Sequence, residues 1–219
     1  MATTQRMAKA KRSKKGGEVD RAYGLLRQWI LSCKIPPGDF LPEVELALQC
    51  NTSRTPIREA CNRLAEEKWL SKIQNKGYMV TPISVQDIVE VYQYRRLLEC
   101  FGAERVAQFA SSEEIASLKR LIAVENRPNA KQSDIIEANH ALHTGIARLA
   151  NNRRIYDQLV LTLDYVHRLD ILSTRRDAEW VGHQAIIGAL EARDPEAARK
   201  AMAEHVDDAR DRMLRIFRG

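Results

Sequence analysis

The spacing of apolar and polar positions changes character along this 219-residue chain, and the changes divide it. In "VDRAYGLLRQWILSCKI" the apolar residues Val19, Ala22, Tyr23, Leu26, Trp29 and Ile30 recur at three- and four-residue steps, which marks one face of a helix. "PPGD" breaks that helix with a turn. "LPEVELALQC" predicts a short helix with Pro42 near its start, where a missing N–H is tolerated. "NTS" is a tight polar connector, and "RTPIREACNRLAEEKWL" predicts a further helix with Ile57, Ala60, Cys61, Leu64 and Ala65 on one face. Over "LSKIQNKGYMVTPI" the period shortens. Two β-prone runs flank Asn75-Lys76-Gly77, a hairpin turn signal. The order helix, helix, turn, helix, hairpin over residues 18–82 is that of a winged helix-turn-helix.

"TPISVQDI" reads as a connector in which Pro82 stops the hairpin and Ser84 caps the next helix. Beyond it the pattern is helical throughout, with helices expected at 84–110, 112–125, 132–150, 152–174, 177–192 and 195–217, punctuated by Asn151-Asn152 and Asp194-Pro195. Residues 83–219 therefore predict an all-helical bundle of six helices without an internal repeat. The fold class is mainly α.

Composition agrees with a folded helical protein: 44% of residues are hydrophobic, 29% charged and only 6% aromatic. No run of about 18 apolar residues is present, so no membrane span is expected. The start carries neither the apolar stretch nor the cleavage pattern of a secretory signal. Cys33, Cys50, Cys61 and Cys100 lack metal-type spacing and read as buried reduced thiols of a cytoplasmic protein. The net charge of +6 is uneven, because residues 1–17 hold six Lys/Arg and no acid. That segment reads as a basic disordered tail suited to approaching a phosphate backbone.

In a helix-turn-helix the first residues of the second helix meet the major groove. Here these are Ser53, Arg54, Thr55, Pro56 and Arg58. Ser53 or Thr55 can cap the helix. Arg54 and Arg58, four apart, project from one face and can grip guanine or clamp a phosphate. The alternative is a pair of solvated charges matched by Glu59 or Glu66. "SRTPIREACNRL", the following "W-L" and "NKGYMV" resemble the DNA-binding domain of the GntR family of bacterial transcription regulators over residues 18–82. The resemblance implies a homodimer on a palindromic double-stranded DNA operator. Arg54 and Arg58 then stand at the contacting arginines, Ser53 and Thr55 at the helix start, and Lys76 and Gly77 at the wing tip. Many members carry an arginine where this chain has Val44.

In the helical half, Asn139 and His143 are four apart on one helix face. His183 opens an apolar set with Ile186, Ile187 and Leu190, and His205 shares a stripe with Met202, Val206 and Ala209. A bundle can gather these three imidazoles and one oxygen donor into a site for Zn²⁺, Ni²⁺ or Mn²⁺. A histidine on an apolar stripe is, taken alone, more often a hydrogen-bonded core residue. "YQYRRLLE", His143-x8-Asn152, "HQAIIGALEARDPEAA" and "MAEHV" resemble the FCD effector domain of the FadR subfamily, in its VanR-like branch. That resemblance implies a divalent transition metal on Asn139, His143, His183 and His205, with Asp the usual residue at position 139. It implies also a small carboxylic-acid effector, for which Arg95 is a second anchor, unless Arg95 pairs with Glu99 or another acid. His140 and His167 match no ligand position and read as surface or structural residues. The function expected is a ligand-responsive regulator, usually a repressor, and not an enzyme. A metal-dependent enzyme using the three-His site and a DNA-binding protein with a purely structural metal are the alternatives.

Overall fold

The computed structural model describes residues 2–74, 76–174 and 182–218, with residues 2–16 and 174 as backbone only. The chain forms two compact units, Met1–Ile83 and Ser84–Gly219.

The first unit runs α1 (Ala2–Leu31), β1 (Phe40–Leu41), α2 (Glu43–Gln49), α3 (Arg54–Glu66), β2 (Leu70–Ile73) and β3 (Gly77–Val80). α1 packs on α3. Ala22, Leu26 and Ile30 from one side and Ile57, Ala60, Cys61 and Leu64 from the other are fully buried. An Arg63–Asp20 ion pair at 2.7 Å and a Tyr23 hydroxyl donating to Glu67 hold the rim of this interface. The hairpin is present, with Ile73 opposite Gly77 and Leu70 opposite Val80. Gly77 has φ +91°, and a Cβ there would stand 3.3 Å from the Leu41 carbonyl oxygen, so the turn needs glycine. β3 is the central strand of three, because Phe40–Leu41 adds an edge that its two residues gave no periodicity to reveal. Asn75 of the expected turn lies outside the described residues.

Two expectations at the ends of elements are corrected. The basic segment 1–17, expected to be disordered, continues α1 from Ala2. Its Ala, Gln, Met, Lys and Arg are good helix formers, and Gly16-Gly17 does not break the helix. Ser53 holds the N-cap position of α3 with extended backbone, yet neither Ser53 nor Thr55 makes a capping bond.

The second unit is helical among its described residues: α4 (Val85–Phe109), α5 (Ser112–Leu121), a 3-10 turn (Ile122–Asn126), α6 (Gln132–Leu149), α7 (Arg153–Thr174), α8 (Gln184–Glu191) and α9 (Pro195–Arg218). α4 runs through the middle, packing most extensively on α9 and also on α6 and α7. Ser84 forms a capping box with Asp87, and Ser111 forms one with Glu114. Asn151 and Arg193 take left-handed backbone (φ +52° and +57°) where α6 and α8 stop. At Gly145 a Cβ would lie 2.7 Å from Leu118, so α5 approaches α6 closely only because no side chain intervenes. The helix expected from 177 begins, as α8, at Gln184. It is preceded by Gly182, a poor helix former, and by His183 at φ −115°. Residues 175–181 lie outside the described residues. The helix expected over 112–125 tightens into the 3-10 turn after Leu121, which brings Glu125 toward the interior of the bundle.

Candidate functional site

Two groups of candidate residues sit in the two units. In the first, Arg54 and Arg58 rise from the amino-terminal turns of α3 with side chains 60% and 55% exposed. The carboxylate that they share is that of Glu43, the first residue of α2. Arg58 donates from Nε at 3.0 Å and from Nη2 at 2.7 Å, and Arg54 donates at 3.4 Å. The bidentate bond to Arg58 leads the effects that hold the Glu43 carboxyl below its usual range. One carboxylate thus aligns both guanidinium groups on the open face of the helix. In the sequence Glu43 looked only like an acid at a helix start, which the helix dipole explains by itself. Lys76 lies at the hairpin turn with its ammonium 5.8 Å from the Phe40 ring. Val44 is exposed beside this face.

In the second unit α6 supplies Asn139 and His143, the residue before α8 is His183, and α9 supplies His205. Their coordinating atoms meet: one nitrogen from each of the three histidines lies within 4.8 Å of the others. All four side chains are buried. The hydrogen bonds fix which atoms point inward. His143 Nδ1 donates to Glu99. His183 Nδ1 donates to Glu125 Oε1 at 2.5 Å, a carboxylate brought in by the 3-10 turn. His205 Nδ1 donates to the Gly182 carbonyl at 3.3 Å. Each ring is left with Nε2 as an acceptor, which on His143 takes a hydrogen bond from Arg95 Nη2 at 2.9 Å, the tautomer being assigned from these partners. Asn139 is oriented likewise. Its Nδ2 donates to Asp170 Oδ2 at 3.1 Å, which turns Oδ1 toward His183 Nε2, also at 3.1 Å. His143 Nε2 and His183 Nε2 face each other at 3.2 Å.

His183 Nε2 thus faces two other acceptors, His143 Nε2 and Asn139 Oδ1, with no proton between them, while Arg95 donates to His143. Facing lone pairs repel, and three imidazoles with one amide oxygen suit a divalent transition metal. The surrounding acceptors are the outer contacts that orient metal-ligating histidines. Burial, assisted by Arg95 and His183, drives the His143 ring to a pKa of about 4 against the pull of Glu99. Burial likewise holds His205 well below the usual imidazole range. Both rings are therefore neutral at physiological pH, as ligation requires.

Arg95 makes the pair with Glu99 that was its alternative role. Its Nε donates to Glu99, and its Nη2 stands 2.9 Å from His143 Nε2. It also lines a small recess against the cluster, shared with Tyr92, Asn139, Asp170 and Arg212. Arg212 donates to Asp170 Oδ1 at 3.1 Å. The Tyr92 hydroxyl is buried there with no hydrogen-bond partner among the described residues. Sequence reasoning missed Glu125, Asp170 and Arg212, and it found Glu99 only as a partner for Arg95. His140 and His167 stay out of the cluster, on the α6–α7 seam.

The two units match two family models. Residues 18–80 match the model of bacterial regulatory proteins of the gntR family, and residues 90–208 match the FCD domain. The chain belongs to the GntR family and carries an FCD domain. Among curated relatives, the uncharacterized HTH-type transcriptional regulator YdhC of Bacillus subtilis is 28% identical over 192 residues, spanning 84% of this chain and 85% of that protein. The HTH-type transcriptional repressor RspR of Escherichia coli is 26% identical over 210 residues, spanning 89% and 88%. Among solved structures, a putative GntR regulator from Rhodococcus sp. RHA1 superposes with TM-score 0.71 at 25% identity, covering 90% of this chain and 98% of that one. This GntR/FCD protein is a transcription regulator and not an enzyme. No helix among the described residues is long and apolar enough to cross a membrane.

Proposed function

We propose that this GntR regulator acts in the cytoplasm as a homodimeric, ligand-responsive repressor, with Zn²⁺, Ni²⁺ or Mn²⁺ bound by Asn139, His143, His183 and His205. The observation that supports the metal reading is the convergence of three histidine nitrogens and an oriented amide oxygen. A metal bound there supplies a Lewis-acidic centre with open positions for a carboxylate. The recess beside it offers that acid the Arg95 and Arg212 guanidinium groups and the Tyr92 hydroxyl. In the other unit Arg54 and Arg58 read or clamp a palindromic operator from the major groove, Ser53 and Thr55 meet the backbone at the helix start, and Lys76 and Gly77 form the wing contact. An acid that binds one arrangement of the dimer better than another shifts the population between them, so half-site spacing fits or fails. The name of RspR supports repression as the direction.

The test is a thermal-shift screen of small carboxylic acids on metal-loaded and chelator-stripped protein. A ligand at about 100 times its dissociation constant adds roughly 2.7 kcal/mol, or about 5–11 °C at roughly 2–4 °C per kcal/mol. The expected result is a shift by one acid with metal only, together with loss of operator binding. The full burial of His143 and His183 favours a second reading, a structural metal. That reading predicts a large loss of stability on stripping and no acid that changes operator affinity, and such a result would displace the effector reading.

A further inference from the structure

We infer that Glu43 is a positioning residue for DNA specificity: it presents Arg58 as the guanine reader and leaves Arg54 to a phosphate. This rests on the reading of α3 as the recognition helix, and it divides the work of the two arginines. Glu43 opens α2, yet its side chain is only 14% exposed, and its carboxylate accepts from both arginines at the start of α3.

The two arginines are held unequally. A guanidinium carries its N–H donors in a rigid planar fork. Arg58 gives Nε and Nη2 to separate oxygens of Glu43, at 3.0 and 2.7 Å. The carboxylate therefore occupies the side edge of that fork and fixes its plane. The end edge keeps two parallel donors, one on Nη1 and one on Nη2, on a side chain that is 55% exposed. Such a pair matches O6 and N7 of guanine, the commonest specific contact of arginine in the major groove. Charge favours the same assignment. A phosphate approaching Arg58 also meets the Glu43 carboxylate, which repels it, whereas the guanine acceptors are neutral. Arg54 makes one bond to the same carboxylate, from Nη2 at 3.4 Å, which leaves its plane free to turn. It is also the first residue of α3, where Ser53 makes no capping bond and the helix start favours an anion. An adjustable cation there fits a phosphate oxygen, a contact that positions the protein without reading sequence.

The test selects duplexes from a randomised pool with the full chain. Kd is then measured on the selected duplex and on each of its single-base changes, at several salt concentrations. The wild type prefers guanine about 5–150-fold at one position of each half-site. Arg58→Ala abolishes that preference. Arg54→Ala keeps it, weakens all duplexes alike and lowers the slope of log affinity against log salt by roughly 0.9. Glu43→Gln keeps the shape of the side chain but not its charge. It cuts the preference about five-fold, the low end for a bidentate contact, and steepens the slope as Arg58 turns to the backbone. A Glu43 that only stabilised the fold would lower melting and leave the guanine preference intact. That outcome, or loss of the preference in Arg54→Ala, overturns the inference while α3 stays the reading helix. If neither arginine variant changes preference or slope, the recognition-helix reading falls and the inference with it.

Discussion

Replacing Glu99 with glutamine separates a structural account of the buried centre from a decorative one. Glu99 is fully buried and its two oxygens accept from Arg95 Nε and His143 Nδ1. Glutamine keeps the shape, removes the charge and turns an NH₂ group against one of those donors. Arg95, only 1% exposed, then keeps its positive charge without its counter-ion. Removing one partner of a buried pair costs about 3–5 kcal/mol. A second route gives a similar size. Burial alone would raise the Glu99 carboxyl, but the charges and hydrogen bonds of Arg95 and His143 outweigh it and bring the pKa from 4.5 to about 2. At about 1.4 kcal/mol per unit this is roughly 3 kcal/mol. A depressed carboxyl contributes above its unfolded pKa and loses that contribution as pH falls through its folded one, so the full effect is present at pH 7. For a chain of this size the transition of the helical unit drops by about 6–20 °C in calorimetry with chelator present. The double variant Glu99→Leu/Arg95→Met removes both charges and leaves mainly the His143 Nδ1 donor unpaired, a loss of about 1–3 kcal/mol. It is therefore more stable than Glu99→Gln. A single-variant loss below about 1 kcal/mol, or a double variant worse than the single, refutes the reasoning.

Arg54→Ala and Arg58→Ala remove exposed side chains, so melting moves by no more than about 0.5 kcal/mol while operator affinity falls about 5–150-fold for each arginine that reads a base. Gel-shift titrations at several salt concentrations check this, and full affinity in both variants removes α3 as the reading helix. Glu43→Gln frees the two arginines. Because pairing holds the Glu43 carboxyl low, its stabilising effect exists above the ordinary glutamate pKa and fades as pH falls through the lowered one. The melting difference between wild type and this variant accordingly shrinks from pH 7 to pH 3, and a constant difference contradicts the pairing. Asp170→Asn loosens the orientation of Asn139 and lowers metal affinity about 10–100-fold in competition with a chromophoric chelator. Unchanged affinity would leave Asp170 with a packing role only.

Much of the scaffold was legible because its signals are local. The three- and four-residue recurrence in α1 and α3, the Asn151 and Asp194-Pro195 breaks and the Ser84 cap each depend on neighbours within one turn, and α4, α6, α7 and α9 fall near their expected bounds. The central histidines were legible for a related reason, since each lies on an apolar stripe that must face inward. The groups that aim them were not. Glu99 sits one turn from Arg95, but its bond to His143 crosses from α4 to α6. Glu125 reaches His183 only because the chain tightens to a 3-10 turn after Leu121, and no periodicity announces that change. Gly182 contributes a backbone carbonyl, which carries no residue-type signal at all.

Asn139 shows what such contacts change. From sequence alone, the neutral amide in place of aspartate implies a less negative and weaker site. Asp170 returns a carboxylate one hydrogen bond further out, on Asn139 Nδ2, and shares it with Arg212. Burial raises the Asp170 carboxyl, and Arg212 leads the effects that oppose this. The charge near the site is therefore displaced from the ligand to its support, and it is balanced there by a guanidinium. An amide oxygen held this way remains a hard, neutral donor, whereas a carboxylate would bring its charge into the first coordination sphere. A bound metal in this protein keeps more of its positive charge available to an incoming anion. By this reasoning Asn139→Asp strengthens metal binding and at the same time weakens the acid that binds against it. Parallel titrations of metal and of the acid found in the screen would read both signs, and tightening of both would show that the amide plays no part in holding charge for the effector.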